Sequence, residues 1–178
     1  MKATGIVRRI DDLGRVVIPK EIRRTMRIRE GDPLEIYTNV GGEVIFKKYS
    51  PIGELSSFAS QCAQALVSAT KLSVVVCDRD HCIAAAGISK KEALERRITP
   101  DLEQIIEDRK TVIYDSGEAH RALEGIEKQI CVAAPIIISG DVSGAVVMLE
   151  SEVCSLANDT DQKLATVAAS FLGQQMEG

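Results

Sequence analysis

Short alternating segments separated by turn residues occupy the first fifty positions of this 178-residue chain. Alternation of apolar and polar residues with a period of two is typical of β-strands. It predicts four short strands, at residues 4–10, 15–18, 34–38 and 43–48. Pro19 suits the first position of a helix, which we expect to run to about Met26. The first fifty residues are therefore expected to form a mainly β unit with one helix.

After the first fifty residues the apolar segments become longer. Apolar residues spaced three and four apart predict an amphipathic helix over residues 54–70 and another over residues 159–176. Between them, five apolar stretches predict strands at residues 72–77, 82–86, 111–114, 129–138 and 142–149. Capping-box chemistry and a helix-opening proline predict two further helices, over residues 89–97 and 99–109. The remainder is thus expected to be an α+β domain with flanking N- and C-terminal helices.

The two terminal helices of this second region each have an apolar side. It comprises Leu55, Phe58, Cys62, Ala65 and Ala69 on the first helix and Leu164, Val167, Phe171 and Leu172 on the second. Small residues that permit close approach also lie on both helices: Ala59, Ala63, Ala165, Ala168 and Ala169. Two interpretations stay open. The helices pack on their own domain alone, or they also pair between chains in a four-helix contact that joins subunits.

A turn-forming stretch, Ser50-Pro51-Ile52-Gly53, separates the two regions. We therefore expect one domain over residues 1–50, a linker or start of a helix over 51–55, and a second domain over 56–178. Charge divides the chain at the same point, because residues 1–50 carry 11 Lys and Arg against 7 Asp and Glu, whereas the rest carries 11 against 19. A basic domain joined to an acidic one indicates a polyanionic partner for the basic domain.

Most of this positive charge lies between residues 8 and 29, which hold seven Arg and one Lys against three acidic residues. A helix over residues 19–26 and its end would gather four cations within an arc of about 100°. These are Lys20, Arg23, Arg24 and Arg27. The flanking apolar segments add Arg8, Arg9 and Arg15. Three neighbouring elements therefore contribute cations to one region.

Double-stranded DNA is the partner that these seven cations favour. Arg outnumbers Lys, and the guanidinium fork suits bidentate contacts with phosphate or guanine. Recognition of RNA or single strands uses aromatic stacking, yet no aromatic residue precedes Tyr37. The helix alone is also explained by a solvated charged face or by the helix dipole. The cations on the neighbouring segments favour DNA over these explanations.

The first domain is too small to be stable by itself. About fifty residues with few large apolar side chains bury too little surface to offset the chain entropy. We therefore expect this domain to fold only as a dimer, by interleaving its strands with those of a second chain. Two-fold symmetry would place two basic helices on one surface, which favours an approximately palindromic DNA site.

Five cysteines, at positions 62, 77, 82, 131 and 154, are expected to be reduced, since the number is odd and most lie in apolar segments. Cys77, His81, Cys82 and His120 lack the paired spacing of a metal site, so no metal and no cofactor are expected. The longest apolar run, residues 130–138, is too short to span a membrane, and no signal sequence is evident. We expect a cytoplasmic protein without membrane contact.

Four motifs stand out in the first domain: Thr4-Gly5-Ile6-Val7-Arg8, Leu13-Gly14-Arg15-Val16-Val17-Ile18-Pro19, Ile22-Arg23-Arg24 and Leu34-Glu35-Ile36-Tyr37. Together they closely resemble the AbrB-like family of swapped-hairpin transcription regulators. The resemblance implies a strand-swapped dimer and relaxed sequence recognition, in which groove shape counts beside base edges. It also implies four DNA contacts: Arg8, Arg15, Arg23 and Arg24.

Two strings of the second domain, VVVCDRDHCIAAAG and CVAAPIIISGDVSGAVVMLE, resemble a GAF domain, a module that often senses small molecules. The signature of cyclic-nucleotide-binding members is absent, which disfavours that ligand. The polar loops over residues 87–99 and 115–128 are best placed to line a pocket. Within the second loop, His120 and Arg121 are the candidates to meet an anionic ligand.

The combination of these two domains resembles regulators of gene expression in developing spores. That resemblance implies both activation and repression of transcription, and assembly of two DNA-binding dimers into a tetramer. Two other classes stay open. An antitoxin would use a similar first domain to bind DNA and a disordered tail to block a toxin. An enzyme would need a nucleophile beside a base; no such constellation is evident, and Cys131 and His120 are the residues to test.

Overall fold

The computed structural model describes residues 4–114 and 119–177. It divides the chain into two compact units, Met1–Tyr49 and Ser50–Gly178. We call them the N-terminal unit and the C-terminal unit and describe each by itself. Among the described residues, no helix combines the length and the apolar character needed to cross a bilayer.

The described residues of the N-terminal unit form one helix and one hairpin. Helix α1 (Lys20–Thr25) precedes strands β1 (Leu34–Thr38) and β2 (Val44–Lys48), which pair antiparallel. At the tip of the hairpin, the Asn39 side-chain oxygen accepts hydrogen bonds from the backbone N–H groups of Gly41 and Glu43, each at 3.0 Å. Three of the five predicted elements of this unit are therefore present in the single chain.

The structure assigns no strand to residues 4–10 or 15–18, so this part of the prediction is wrong for the single chain. Between these segments, the Asp11 N–H donates to the Arg15 carbonyl and the Gly14 N–H to the Asp11 carbonyl, each at 3.0 Å. These bonds close a turn, but a strand also requires a ladder of backbone hydrogen bonds to a neighbour. In the described chain neither segment joins the β1–β2 hairpin.

In the described part of the C-terminal unit, five antiparallel strands form one sheet. They are β3 (Ser73–Asp78), β4 (Cys82–Ala86), β5 (Val112–Ile113), β6 (Ile130–Ile138) and β7 (Asp141–Leu149). Their spatial order is β4-β3-β7-β6-β5, and in the centre of the sheet Val76 lies opposite Val146. Each strand falls in one of the five apolar stretches, so the predicted strands of this unit are confirmed.

Helices cover both faces of this sheet. They are α2 (Pro51–Glu54), α3 (Ser56–Thr70), α4 (Lys90–Ala93), α5 (Pro100–Asp108) and α6 (Asp159–Gln174). One buried cluster joins α3 and α6 to Val74 and Val146, and a second joins α4 and α5 to Val75 and Val147. Successive strand residues point to opposite faces. Both faces of the central strands are therefore covered, which explains why they read as nearly continuous apolar runs.

Residues 51–55, expected as a linker or the start of a helix, form the short helix α2 and its end. The Ser50 hydroxyl caps this helix by accepting a hydrogen bond from the Gly53 N–H at 3.2 Å. Ile52 is fully buried in the cluster that contains α3 and α6. This segment is therefore packed into the C-terminal unit.

Helices α3 and α6 turn mainly small residues towards the sheet, while three large apolar residues remain exposed. Ala59, Ala63 and Leu66 of α3 are buried, as are Ala165, Ala168, Ala169 and Leu172 of α6. By contrast, Phe58 is 43% exposed, Val167 66% and Phe171 43%. The prediction of both helices is confirmed, but much of the predicted apolar side is exposed in the single chain. Small side chains face the sheet instead, because they allow the helix to pack closer to the strands.

Gly173→Ala tests this close packing. A Cβ atom on Gly173 of α6 would overlap the carbonyl oxygen of Ile137 in β6. We expect the free energy of unfolding to fall by about 1–3 kcal/mol, although alanine favours helix formation by about 1 kcal/mol over glycine. Urea unfolding of the whole chain measures the change.

Ser170→Ala is the matched control, because Ser170 is exposed on the same helix. Its free energy of unfolding should change by less than about 0.5 kcal/mol. A Gly173→Ala variant as stable as the unchanged protein, or more stable, would show that α6 does not need this close approach.

Candidate nucleic-acid interface

Helix α1 presents three of the predicted cations. Pro19 immediately precedes the helix, and Lys20, Arg23 and Arg24 are exposed along it. Both arginines lie in the last turn, where the helix dipole favours cations. Beyond the helix, the Ile28 N–H donates to the Arg23 carbonyl at 2.8 Å. The helix is therefore closed by backbone bonds, and its three cationic side chains extend towards solvent.

Arg27 does not belong to this helical face, and the geometric reason for grouping it there is wrong. The helix ends at Thr25, and Arg27 has a left-handed backbone with φ 51°. Its carbonyl accepts a hydrogen bond from Lys48 Nζ at 2.9 Å, and the same ammonium group lies 3.4 Å from the Asp32 carboxylate. These contacts tie the end of α1 to β2, and Arg27 itself is half-buried.

The Asp11 carboxylate organises the turn that carries Arg15. Asp11 Oδ1 accepts hydrogen bonds from the backbone N–H of Leu13 at 3.0 Å and of Arg15 at 2.8 Å. Asp11 Oδ2 accepts from Arg15 Nε at 2.8 Å, which forms an ion pair. The backbone hydrogen bond from Arg15, more than any other contact, lowers the pKa of Asp11. The carboxylate therefore holds both the backbone and the side chain of Arg15.

Two further arginines precede this turn. Arg8 and Arg9 are exposed, and Arg8 Nη1 donates to the carbonyl of Val7 at 3.3 Å. Arg15 is also exposed, with 70% of its side chain accessible. Six of the seven predicted DNA-binding cations are thus accessible in the N-terminal unit, and Arg27 is the half-buried exception.

The N-terminal unit has almost no interior in the single chain. Among residues 4–49, Pro19 alone is buried. Large apolar side chains remain accessible, with Val7 83% exposed, Ile10 71% and Val17 70%. Met26, which follows the end of α1, is 58% exposed. This unit therefore offers apolar surface as well as cations to any partner.

The C-terminal unit contains a cavity of about 330 Å³. It is lined by Ile88, Glu92, Arg96, Gly125, Ile126, Glu127 and Lys128. Both predicted loops contribute to this lining, although residues 115–118 of the second loop lie outside the described part of the chain. Its charged lining residues carry both signs, so the cavity is not a simple anion site.

His120 and Arg121 are not among the residues that line this cavity. His120 Nδ1 lies 3.4 Å from a carboxylate oxygen of Asp101, and its ring centroid is 4.3 Å from that of Tyr114. Arg121 Nη2 lies 2.5 Å from Glu127 Oε2. Arg121 therefore approaches the cavity only through a lining residue, while His120 packs beside α5.

Cys131 and His120 do not form a nucleophile and base pair. Cys131 lies in the cluster that contains α3 and α6, whereas His120 contacts Asp101 of α5 on the other side of the sheet. Burial raises the pKa of Cys131 to about 11, with a smaller contribution from Glu150. Its thiol also donates to the Ser155 carbonyl at 3.5 Å. At neutral pH Cys131 is therefore a buried, protonated thiol.

The cysteines and histidines also lack the arrangement of a metal site. Cys77 and Cys82 lie opposite each other on β3 and β4, and both are fully buried. A hydrogen bond between these two thiols, followed by burial, raises the pKa of Cys77. In residues 4–114 and 119–177, no three His, Cys, Asp or Glu residues are grouped so that they can hold a metal ion.

Comparison with known proteins gives family matches for both units. Residues 54–177 match the family described as stage V sporulation protein T C-terminal, transcription factor. Residues 7–53 match the family described as antidote-toxin recognition MazE, bacterial antitoxin. Stage V sporulation protein T of Bacillus subtilis (strain 168) is 49% identical over 179 residues, which cover 99% of each chain. The transition state regulatory protein AbrB of the same organism is 61% identical over 51 residues, 29% of this chain and 52% of AbrB.

Among solved structures, a GAF domain from a phosphoenolpyruvate-protein phosphotransferase of Coxiella burnetii has a TM-score of 0.54 at 17% identity. The match covers 68% of this chain and 82% of that one, and it shows the fold alone. The two units therefore define a transcription regulator with an AbrB-like DNA-recognition domain and a GAF-like domain. The chain belongs to the stage V sporulation protein T family of transcription factors, which confirms both predicted resemblances.

Sequence reasoning missed the role of Asp11 in this site. The sequence pattern predicts only that turn residues separate the segments 4–10 and 15–18. The available signal was the spacing, because an Asp at the start of a turn often accepts hydrogen bonds from backbone N–H groups a few residues later. Arg15 then stands four residues after Asp11, close enough for its side chain to reach the second carboxylate oxygen.

Alkylation tests the state of Cys131. Because burial raises the pKa of Cys131 to about 11, the reactive thiolate is scarce at pH 8. We expect iodoacetamide to label Cys131 very slowly in the folded protein at pH 8, and the rate to rise as the pH approaches 11. Mass spectrometry of tryptic peptides measures the labelling.

Protein unfolded in urea provides the control, since Cys131 should then react like an ordinary cysteine. Far-ultraviolet circular dichroism verifies that the chain remains folded at each pH. Rapid labelling of Cys131 in the folded protein at pH 8 would contradict a buried, protonated thiol and would restore the Cys/His enzyme as a hypothesis.

Proposed function

We propose that the N-terminal units of two chains together bind double-stranded DNA. Six accessible cations on one small unit carry this proposal: Arg8, Arg9, Arg15, Lys20, Arg23 and Arg24. Guanidinium groups at the turn and on α1 neutralise phosphates and contact groove edges. Arg27 stays a weaker member of the proposed site, because it is half-buried and lies beyond the helix.

A dimer through the N-terminal unit accounts for its exposed apolar residues. Residues 4–10 and 15–18 alternate as strands do, yet the single chain gives them no ladder. We propose that they pair with the same segments of a second chain. This pairing buries side chains such as Val7, Ile10 and Val17 and duplicates the cations by two-fold symmetry. An approximately palindromic DNA site follows.

A second contact between chains uses α3 and α6. Phe58 on α3 and Val167 and Phe171 on α6 are exposed, although each is large and apolar. The two helices share one face of the sheet, so these side chains provide an apolar surface on the outside of the C-terminal unit. We propose that it joins two such dimers into a tetramer through a four-helix contact.

The C-terminal unit supplies regulation in this proposal. Its cavity, lined from the loops after β4 and before β6, is the candidate site for a small molecule. Ligand binding there would change the arrangement of the DNA-binding units and so permit both activation and repression of sporulation genes. We place the protein in the cytoplasm, where its DNA partner lies.

The antitoxin alternative has one observation in its favour, the match of residues 7–53 to the antitoxin family. That alternative requires a disordered tail after the DNA-binding unit. The C-terminal unit instead packs helices on both faces of a five-stranded sheet. A folded regulatory domain therefore fits this chain better than a toxin-binding tail.

Arg23→Ala with Arg24→Ala tests DNA binding. The double substitution removes four cations from each dimer, and binding should weaken by more than about 100-fold. Each lost phosphate contact lowers the slope of log affinity against log salt by about 0.9. Fluorescence anisotropy at several salt concentrations measures both quantities, with a duplex selected by the unchanged protein from a random-sequence pool.

Lys90→Ala with Lys91→Ala is the matched control, because it removes two exposed cations from the C-terminal unit. This variant should bind the duplex as the unchanged protein does, and light scattering should give both variants the same subunit number. An equal loss of binding in both variants would contradict an interface on α1. A lost dimer in the arginine variant would give these residues a structural role.

Phe58→Glu with Phe171→Glu tests the tetramer. Carboxylates at two exposed apolar positions should prevent the contact between helices, because burying unpaired charge is strongly unfavourable. Light scattering should change from the mass of four chains to that of two. Circular dichroism should stay unchanged, since both side chains are partly exposed already.

Leu94→Glu is the control for this pair. Leu94 is 38% exposed and follows α4, which lies on the opposite side of the sheet from α3 and α6. The Leu94→Glu substitution adds a carboxylate to an accessible apolar position and should leave the four-chain mass unchanged. A Phe58 and Phe171 variant that keeps this mass would exclude the helices as the second contact.

A further inference from the structure

Asp11 holds Arg15 in a way that the formation of a turn does not require. One carboxylate oxygen accepts hydrogen bonds from the backbone N–H groups of Leu13 and Arg15, which is sufficient to shape the turn. The other oxygen contacts Arg15 Nε at 2.8 Å. Because this contact uses Nε, the two terminal nitrogens of the guanidinium fork are left for a phosphate or a guanine edge.

We infer that Asp11 is a positioning residue for DNA recognition, which fixes the direction of the Arg15 guanidinium before DNA arrives. The inference rests on the proposed DNA-binding function. A flexible, exposed arginine loses side-chain freedom when it binds, and a contact that already restricts it reduces this loss. Exposed ion pairs contribute little to folding stability. The ion pair with Arg15 Nε therefore contributes through the orientation of Arg15, whereas the two backbone hydrogen bonds of Asp11 shape the turn.

Because Asp11 is negatively charged, the direction in which its neutralisation changes DNA affinity distinguishes positioning from simple repulsion. A carboxylate close to the phosphate backbone opposes binding, so its neutralisation alone should strengthen the attraction to any DNA. If Asp11 positions Arg15, its neutralisation should instead weaken binding to a preferred sequence. Asp12 is the natural comparison, because it is exposed, carries the same charge and makes none of the described hydrogen bonds of this turn.

The experiment compares Asp11→Asn with Asp12→Asn in the full-length protein. Asparagine at position 11 keeps an oxygen for the backbone N–H groups of Leu13 and Arg15 but loses the ion pair with Arg15 Nε. The probes are a duplex selected by the unchanged protein from a random-sequence pool and an unselected duplex of the same length. Fluorescence anisotropy gives the affinity for each duplex, and circular dichroism and light scattering verify the fold and subunit number.

We expect Asp11→Asn to weaken binding of the selected duplex about tenfold, or 1.4 kcal/mol for the dimer. Its binding to the unselected duplex should be unchanged or tighter, so the ratio of the two affinities should fall. Asp12→Asn should bind both duplexes as tightly as the unchanged protein or more tightly. Equal behaviour of the two variants on the selected duplex would overturn the inference.

A double-mutant cycle with Arg15→Gln separates positioning from a purely structural role. Without the guanidinium there is nothing for the second carboxylate oxygen to orient, so Asp11→Asn should then have the same effect as Asp12→Asn. A tenfold loss that persists in the Arg15→Gln background would show that Asp11 acts through the turn alone and would overturn the inference. If the unchanged protein selected no duplex, the proposed function itself would fail, which is a distinct outcome.

Discussion

The N-terminal unit lacks an interior, and this shortage constrains how the molecule can work. Of its described residues Pro19 alone is buried, while Val7 and Val17 are largely exposed. Burial of apolar surface is the main favourable contribution to folding, and residues 4–49 bury almost none of it within one chain. The proposed dimer supplies the missing surface and the missing strand neighbours at once. The DNA-binding surface that we propose is therefore a property of two chains.

The C-terminal unit has the opposite character, because its sheet is covered on both faces. Alanines on α3 and α6 face the sheet, which brings the helices close to the strands, and Gly173 meets the backbone of β6. This close packing leaves no room inside for Phe58 or Phe171. The features that make this unit compact thus leave Phe58 and Phe171 on its outside, where they form part of the surface proposed to join dimers.

The spacing of apolar residues predicted most helices and strands correctly, and the predictions that were wrong have physical causes. The strands and long helices of the C-terminal unit were predictable because they are buried, and burial determines which residues are apolar. The buried side of α3 was not predictable from periodicity. Ala59 and Ala63 pack inward, although the larger Phe58 gives the stronger apolar signal in the sequence. Residues 4–10 carry a strand pattern without a strand, because a ladder depends on a neighbour that the pattern does not specify.

The candidate site was predictable to the extent that it depends on composition. Clustered Arg and Lys pointed to the N-terminal unit, and the AbrB-like motifs gave Arg8, Arg15, Arg23 and Arg24 as candidates, which stay a prediction. The grouping of Arg27 failed because it assumed a helix that continued past Thr25, where the backbone instead becomes left-handed. The contact between Asp11 and Arg15 was missed because charge counting treats an acid near a cation only as a loss of positive charge.

The contact between Asp11 and Arg15 bears on which side chains of the proposed interface contribute affinity for DNA and which contribute sequence specificity. The first fifty residues carry 11 basic and 7 acidic side chains, a modest excess for a unit that binds a polyanion, and the acidic remainder of the chain repels phosphate. Affinity must then come from a few arginines in suitable positions rather than from total charge. An acid is compatible with such an interface if it orients an arginine, as Asp11 does through Nε. In the proposed interface, the acidic residues of the unit thus limit non-specific attraction, and an oriented Arg15 is the group proposed to favour particular sequences.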